Sequence, residues 1–137
     1  MKLDFFIEGG DFAKVGIASS ELKKTLKQLN VDPKIIRRTV VALYEAEINI
    51  VAHAYKGNIT ININSHQIDI TLDDKGPGIP DVELAMKEGY STATAKVREM
   101  GFGAGMGLAN IRNNSDELKI NSIVGEGTKV NIIINMS

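Results

Sequence analysis

Between residues 59 and 72 the aliphatic side chains fall on every second position. Ile59, Ile61 and Ile63 alternate with polar neighbours, and Ile68, Ile70 and Leu72 do so again beyond the tip Ser65-His66-Gln67. Successive side chains on a strand point to opposite faces, so the pattern describes an antiparallel hairpin with one apolar face and one wet face. Such a sheet needs cover on one side only. The preceding half of the chain supplies it in a different period. Val15, Ala18, Leu22, Leu26 and Leu29 recur at helical spacing, and Asp11 is placed to cap a helix through about Leu29. Asn30-Val31 breaks it, and Asp32-Pro33 opens a second helix, a capping carboxylate followed by proline at the first helical position. That helix is expected to run to about Tyr55 and stop near Gly57.

The remaining segments complete the pattern. Lys2 to Glu8 reads as a strand ended by Gly9-Gly10, and Asp81 caps a short helix to about Glu88. A helix starts at Gly105 and ends near Asn114, and Leu118–Val124 pairs with Thr128–Ile134 around Gly125-Glu126-Gly127. The expected fold is α+β: a two-layer sandwich with helices packed on one face of a mostly antiparallel sheet.

Composition removes several functions. A chain of 137 residues, 43% hydrophobic, fits one domain (1–137) with one core. A net charge of −1 argues against a nucleic-acid surface. Without cysteine there is no disulfide framework and no thiolate metal site, and two histidines, His53 and His66, make a poor zinc site. No apolar run approaches the roughly 20 residues of a membrane span. The charged start MKLDFFIEGGD lacks a signal-peptide core, so the expectation is a cytoplasmic protein without membrane or nucleic-acid partners.

Five groups of residues are candidates to carry chemistry. Glu45, Asn49 and His53 follow at i, i+4 and i+8, one stripe of the second helix. Beside Val40, Val41, Leu43, Ile48, Ile50 and Val51 a carboxylate and an amide either face a cavity or form a solvated polar stripe. In the first case Asn49 suits a magnesium ion, which takes oxygen ligands and keeps several waters, and Glu45 suits the proton of an attacking hydroxyl. The loop DKGPGIP places Asp74 at a strand end, where it suits an exocyclic amine such as adenine N6; Gly76 and Gly78 let the backbone approach a flat ligand. As a lone motif it is equally a proline-glycine turn with a surface aspartate. GFGAGMG, from Gly101 to Gly107, feeds a helix and suits phosphate, although neither a Walker lysine nor a βαβ unit accompanies it. Residues 89–101, with Ser91, Thr92, Lys96 and Arg98, read as a lid over phosphates or as a plain solvated loop. Thr128, after the last Gly-x-Gly, reads as a partner of Asp74 at the adenine or as an ordinary strand threonine.

In this order, Glu45-x-x-x-Asn49, Asp74-x-Gly76-x-Gly78, Gly103-x-Gly105-x-Gly107 and Gly125-x-Gly127-Thr128 resemble the four boxes of the GHKL ATPases. That group includes gyrase, Hsp90, histidine kinases and MutL, and shares the Bergerat fold. The match covers the chain from about Asp32 onward. The strings EAEINIVAHAYKG, DKGPGIPDVELAMKEGYST and GAGMGLANIRNNSDELKINSIVGEGT look most like the small bacterial serine/threonine kinases of partner-switching modules, the RsbT and RsbW type. The resemblance implies ATP with Mg2+, and a phosphoacceptor serine or threonine on a STAS-domain antagonist. A sigma factor or a phosphatase would be a further partner, and a homodimer is a further expectation. By resemblance Glu45 is the general base, Asn49 the magnesium ligand and Asp74 the adenine reader. Gly76, Gly78, Ile79, Gly103, Ala104, Gly105, Met106, Gly107 and Leu108 shape the nucleotide pocket, and Thr128 supports its adenine end. Glu47, two residues from Glu45, lies on another face. The residues before Asp32 do not supply the helical pair of a histidine kinase, nor does the chain offer transducing domains of the gyrase kind. The acceptor is therefore expected on another protein. The competing reading is a nucleotide-gated binding module, an anti-sigma factor or phosphatase activator with little or no catalysis.

Overall fold

The computed structural model describes residues 1–82, 86 and 107–136. Its elements are β1 (Lys2–Glu8), a single 3-10 turn (Phe12–Lys14), α1 (Ile17–Gln28), α2 (Pro33–His53), β2 (Lys56–Ile63), β3 (Gln67–Lys75), α3 (Gly107–Asn113), β4 (Glu117–Ile123) and β5 (Gly127–Asn135). The five strands form one open antiparallel sheet in the order β1-β2-β3-β5-β4. The α+β class read from the sequence is the one observed.

The alternation sets the register. Leu3, Ile61, Ile70, Ile132 and Leu118 stand opposite one another across all five strands, and Phe5, Ile59, Leu72, Val130 and Ile120 form the next row. These rows face the helices. Ile59, Ile61, Ile70 and Ile132 are fully buried beneath Leu22, Leu26, Leu43 and Ile111. Slipping any strand by one residue would turn its whole aliphatic set to water, so the burial itself fixes the pairing. The opposite face is polar. Thr60 Oγ1 donates to Asp4 Oδ1 at 3.0 Å, and Asn131 Nδ2 donates to Asp69 Oδ1 at 2.7 Å and to Thr71 Oγ1 at 3.1 Å.

The second helix starts where the sequence places it: Asp32 caps it, accepting the Lys34 N–H at 2.8 Å, with Pro33 at the first position. The helix expected from Asp11 to Leu29 is interrupted. The 3-10 turn ends at Lys14, and Gly16, at φ 96°, turns the chain before α1 begins at Ile17. The cause is a distant carboxylate. Glu47, on α2, accepts the Gly16 N–H at 2.9 Å and the Ser19 N–H at 2.8 Å, and so caps α1 from outside its own sequence. The second helix ends at His53, and Gly57 lies inside β2, which begins earlier than the isoleucine pattern indicates. For the helix expected after Asp81, the Met86 N–H donates to Val82 O at 3.0 Å, a helical bond; its other residues lie outside those described.

Candidate functional site

The sheet end and the last turns of α2 meet around Asp74. This residue closes β3 directly opposite Gly57 of β2. A Cβ on Gly57 would stand 3.3 Å from the Asp74 Cβ and 3.1 Å from the Ile50 side chain, so the missing side chain opens the space the carboxylate occupies. Asp74 Oδ1 accepts the Thr128 N–H at 3.0 Å. The carboxylate's other oxygen, Oδ2, is of a kind that can accept from a ligand. Burial pushes the Asp74 carboxyl up, with the neighbouring Asp73 charge adding to the rise and the Thr128 N–H opposing it.

Thr128 is buried. Its hydroxyl lies 2.8 Å from Ser122 Oγ, and the Ile79 N–H donates to that same Ser122 oxygen at 2.6 Å. Ser122 thus ties the β4–β5 hairpin to the loop after β3. The backbone adds two more ties: Gly76 N–H donates to Glu126 O at 3.1 Å, and Gly125 N–H to Pro77 O at 2.9 Å.

The glycines of this loop have a packing reason. A Cβ on Gly76 would sit 3.0 Å from Ala54 Cα, at the end of α2. Gly78 has φ 78°, and a Cβ there would sit 2.6 Å from Ile123 O. The sequence reading assigned both glycines to the approach of a ligand. Their Cβ directions also point at protein backbone, so both glycines have a packing reason as well, in docking the loop between α2 and the last hairpin.

On α2, Glu45 and Asn49 are half-buried. Asn110, on α3, donates through Nδ2 to Glu45 Oε1 at 3.2 Å. Gly107, the first residue of α3, faces Asn49 so closely that a Cβ there would lie 2.9 Å from Asn49 Oδ1. The end of the second glycine cluster therefore lies against the amide, one helical turn from Glu45. The oxygens of Glu45 and Asn49 suit a hard cation. Among the described residues no three His, Cys, Asp or Glu side chains gather to hold a metal. A magnesium ion here would take few protein ligands and keep water or phosphate for the rest, which is its habit.

His53, in the last turn of α2, is half-buried, and burial pulls its pKa down, so the neutral ring is favoured. Glu47 is fully buried at the start of α1 and does not share the Glu45 face. Leu108 is buried in the core, and Ile79 packs against it. Gly103, Ala104, Gly105 and Met106, and Ser91, Thr92, Lys96 and Arg98 of the expected lid, lie outside the described residues.

Sequence reasoning missed Ser122, Asn110 and Gly57. Ser122 looks like any outward polar residue of an alternating strand, and Asn110 like helix surface. Gly57 reads as a helix stop because it follows one.

A model of the histidine kinase-like ATPase domain matches residues 11–134. The chain is 32% identical over 122 residues to the serine/threonine-protein kinase RsbT of Bacillus subtilis, covering 85% of this chain and 86% of that protein. It is 34% identical over 135 residues to the anti-sigma F factor of Pasteuria penetrans, covering 92% and 82% respectively. Among solved structures, the RsbU and RsbW domains of a Mycobacterium tuberculosis protein superpose with a TM-score of 0.64 at 15% identity, over 96% of this chain and 32% of that one. A mycobacterial sensor histidine kinase superposes with a TM-score of 0.57 at 16% identity, over 98% of this chain and 96% of that one. The structural likenesses establish the fold, and the sequence matches establish descent: the chain belongs to the histidine kinase-like ATPase domain family, alongside RsbT and the anti-sigma F factors.

Proposed function

We propose that this chain, acting as one domain, binds ATP and transfers its γ-phosphoryl group to a serine or threonine of a STAS-domain antagonist protein. The observation that supports this most is the contact of Gly107 with Asn49, one turn from Glu45. It brings one glycine, an amide suited to a cation and, one turn away, a carboxylate suited to a proton to one place.

In this reading Asp74 Oδ2 accepts the adenine N6 amine, while the Thr128 N–H holds Oδ1 and fixes the carboxylate plane. Ser122 and Thr128 keep the base-end loop in register. Asn49 is the residue that would hold a magnesium ion, whose charge would screen the phosphates. Glu45 accepts the proton of the acceptor hydroxyl as that oxygen bonds to the γ-phosphorus. The bond from the γ-phosphorus to the bridging oxygen breaks, and ADP leaves with that oxygen. Asn110 orients the Glu45 carboxylate through its hydrogen bond to Oε1.

The relatives named anti-sigma F factor favour a second reading, a nucleotide-gated module that binds a partner with little or no catalysis. Glu45→Ala separates the two. The expected outcome is ATP affinity close to wild type and phosphotransfer reduced by about 10²-fold or more, followed with labelled ATP and a STAS-domain acceptor. Transfer at the native rate by that variant would remove Glu45 from the mechanism, whereas no transfer by the wild-type chain itself would leave the binding module.

A further inference from the structure

On the flank of the molecule, α1 and α2 leave an open groove of about 510 Å³ between the end of the first helix and the start of the second. Lys23 and Lys27, one turn apart on α1, line one wall, and Arg37 of α2 lines the other. All three are exposed. The floor is apolar: Ile36 is buried, and Val31, Val40 and Val41 are half-buried. Among the described residues no acid lines it. Three cations with no acid among them are out of keeping with a chain of net charge −1. The neighbouring cation does have a use elsewhere, since Arg38 Nη2 pairs with Asp116 Oδ1 at 3.0 Å.

The groove also has a direction. Arg37, Val41, Glu45 and Asn49 follow at i, i+4, i+8 and i+12 on α2, a stripe that winds slowly round one side of the helix. Val41 and Arg37 are groove; Glu45 and Asn49 are the candidate site. Eight residues of helix separate Arg37 from Glu45, about 12 Å along the axis. An extended chain covers that span in about four residues.

We propose that this groove receives an acidic, partly apolar segment of the phosphoacceptor protein, lying about four residues from the serine or threonine presented to Glu45. The inference rests on the kinase reading for the acceptor, while the groove and its charge stand by themselves. The cations supply orientation and attraction, and the valine and isoleucine floor supplies the desolvated contact that holds a segment in register. The acidic sequence is thereby a specificity element: a basic segment would be repelled by Lys23, Lys27 and Arg37.

The test uses the full chain and a short fluorescein-labelled peptide carrying one serine and, four residues away, a block of alternating glutamate and leucine. A control peptide has lysine in place of each glutamate. Fluorescence anisotropy is recorded at low and physiological salt, with ATP titrated in parallel. The expected result is binding of the acidic peptide alone, weakened by salt, and weakened about tenfold or more by the variant Lys23→Glu/Lys27→Glu/Arg37→Glu, with ATP affinity unchanged. These residues are exposed, so the variant folds, and an unaltered far-ultraviolet circular dichroism spectrum verifies it. A photoreactive group at the serine position is expected to crosslink within residues 41–49. Equal binding of the lysine peptide, binding indifferent to the charge reversal, or crosslinks confined to other elements would overturn the proposal. So would polyuridylate or phosphatidylglycerol vesicles binding as tightly with the same sensitivity, since the groove would then be a general polyanion surface. Absence of ATP binding by the wild-type chain would defeat the nucleotide reading separately, because the peptide measurement contains no nucleotide.

Discussion

Glu45 and Glu47 stand two positions apart on α2 and meet different surroundings. The first is half-buried and hydrogen-bonded to Asn110; the second is fully buried and caps another helix. The i, i+4 spacing to Asn49 made the first legible in sequence. The second was not, because its partners are backbone N–H groups 28 and 31 residues away, which no local pattern announces. Glu47→Ala would strand both N–H groups and leave a cavity, at a cost of about 3 kcal/mol, read as a lowered urea midpoint. The titration of Glu47 has a definite sign. Burial raises its carboxyl, against the Ser19 and Gly16 hydrogen bonds, so the folded chain holds that proton harder than the unfolded chain. The stability contributed this way is complete below the ordinary glutamate range and is lost as pH rises through the raised value. Glu47→Gln does not titrate. Denaturation of both proteins across the mildly acidic range is therefore expected to show wild type losing ground to the variant as pH rises. Asp116 has the opposite sign: the Arg38 guanidinium and the Asn135 N–H lower its carboxyl, and its contribution disappears as pH falls.

The loop after β3 and the β4–β5 hairpin are hydrogen-bonded to each other. Their glycines were visible in sequence, but their packing role was not, since it depends on which backbone passes beside each one. At Gly127, φ is 151° and a Cβ would collide with the carbonyl oxygen of Asp74, the aspartate of the candidate pocket itself. At Gly125, φ is 84° but nothing lies within 4 Å of an added Cβ. The two substitutions are thus separable. Gly125→Ala is expected to cost about 1 kcal/mol, from backbone conformation alone. Gly127→Ala is expected to cost about 3 kcal/mol and to weaken nucleotide binding as well, because relief of the clash must move Asp74. Thermal unfolding with and without ATP distinguishes them. The same dependence on distant neighbours explains the α1 boundary: helical periodicity runs from Val15 to Leu29, yet Gly16 stops the helix at Ile17, where Glu47 satisfies its first N–H groups.

The architecture was the most legible property of the chain, because one-sided burial of five strands and an amphipathic helical half admit few arrangements. The sheet puts Asp74 and Thr128 on adjacent strands, and α3 meets Asn49 and Glu45 on α2. What converts that arrangement into a function is nucleotide, and calorimetric titration of the protein with ATP, with and without magnesium, tests it most directly. Run beside Asp74→Asn, which keeps shape but turns an acceptor-only group into one that also donates, the account predicts magnesium-enhanced binding by wild type. It predicts loss of about tenfold or more in the variant. Equal ATP affinity in the two proteins, or no heat from wild type at millimolar ATP, would contradict it.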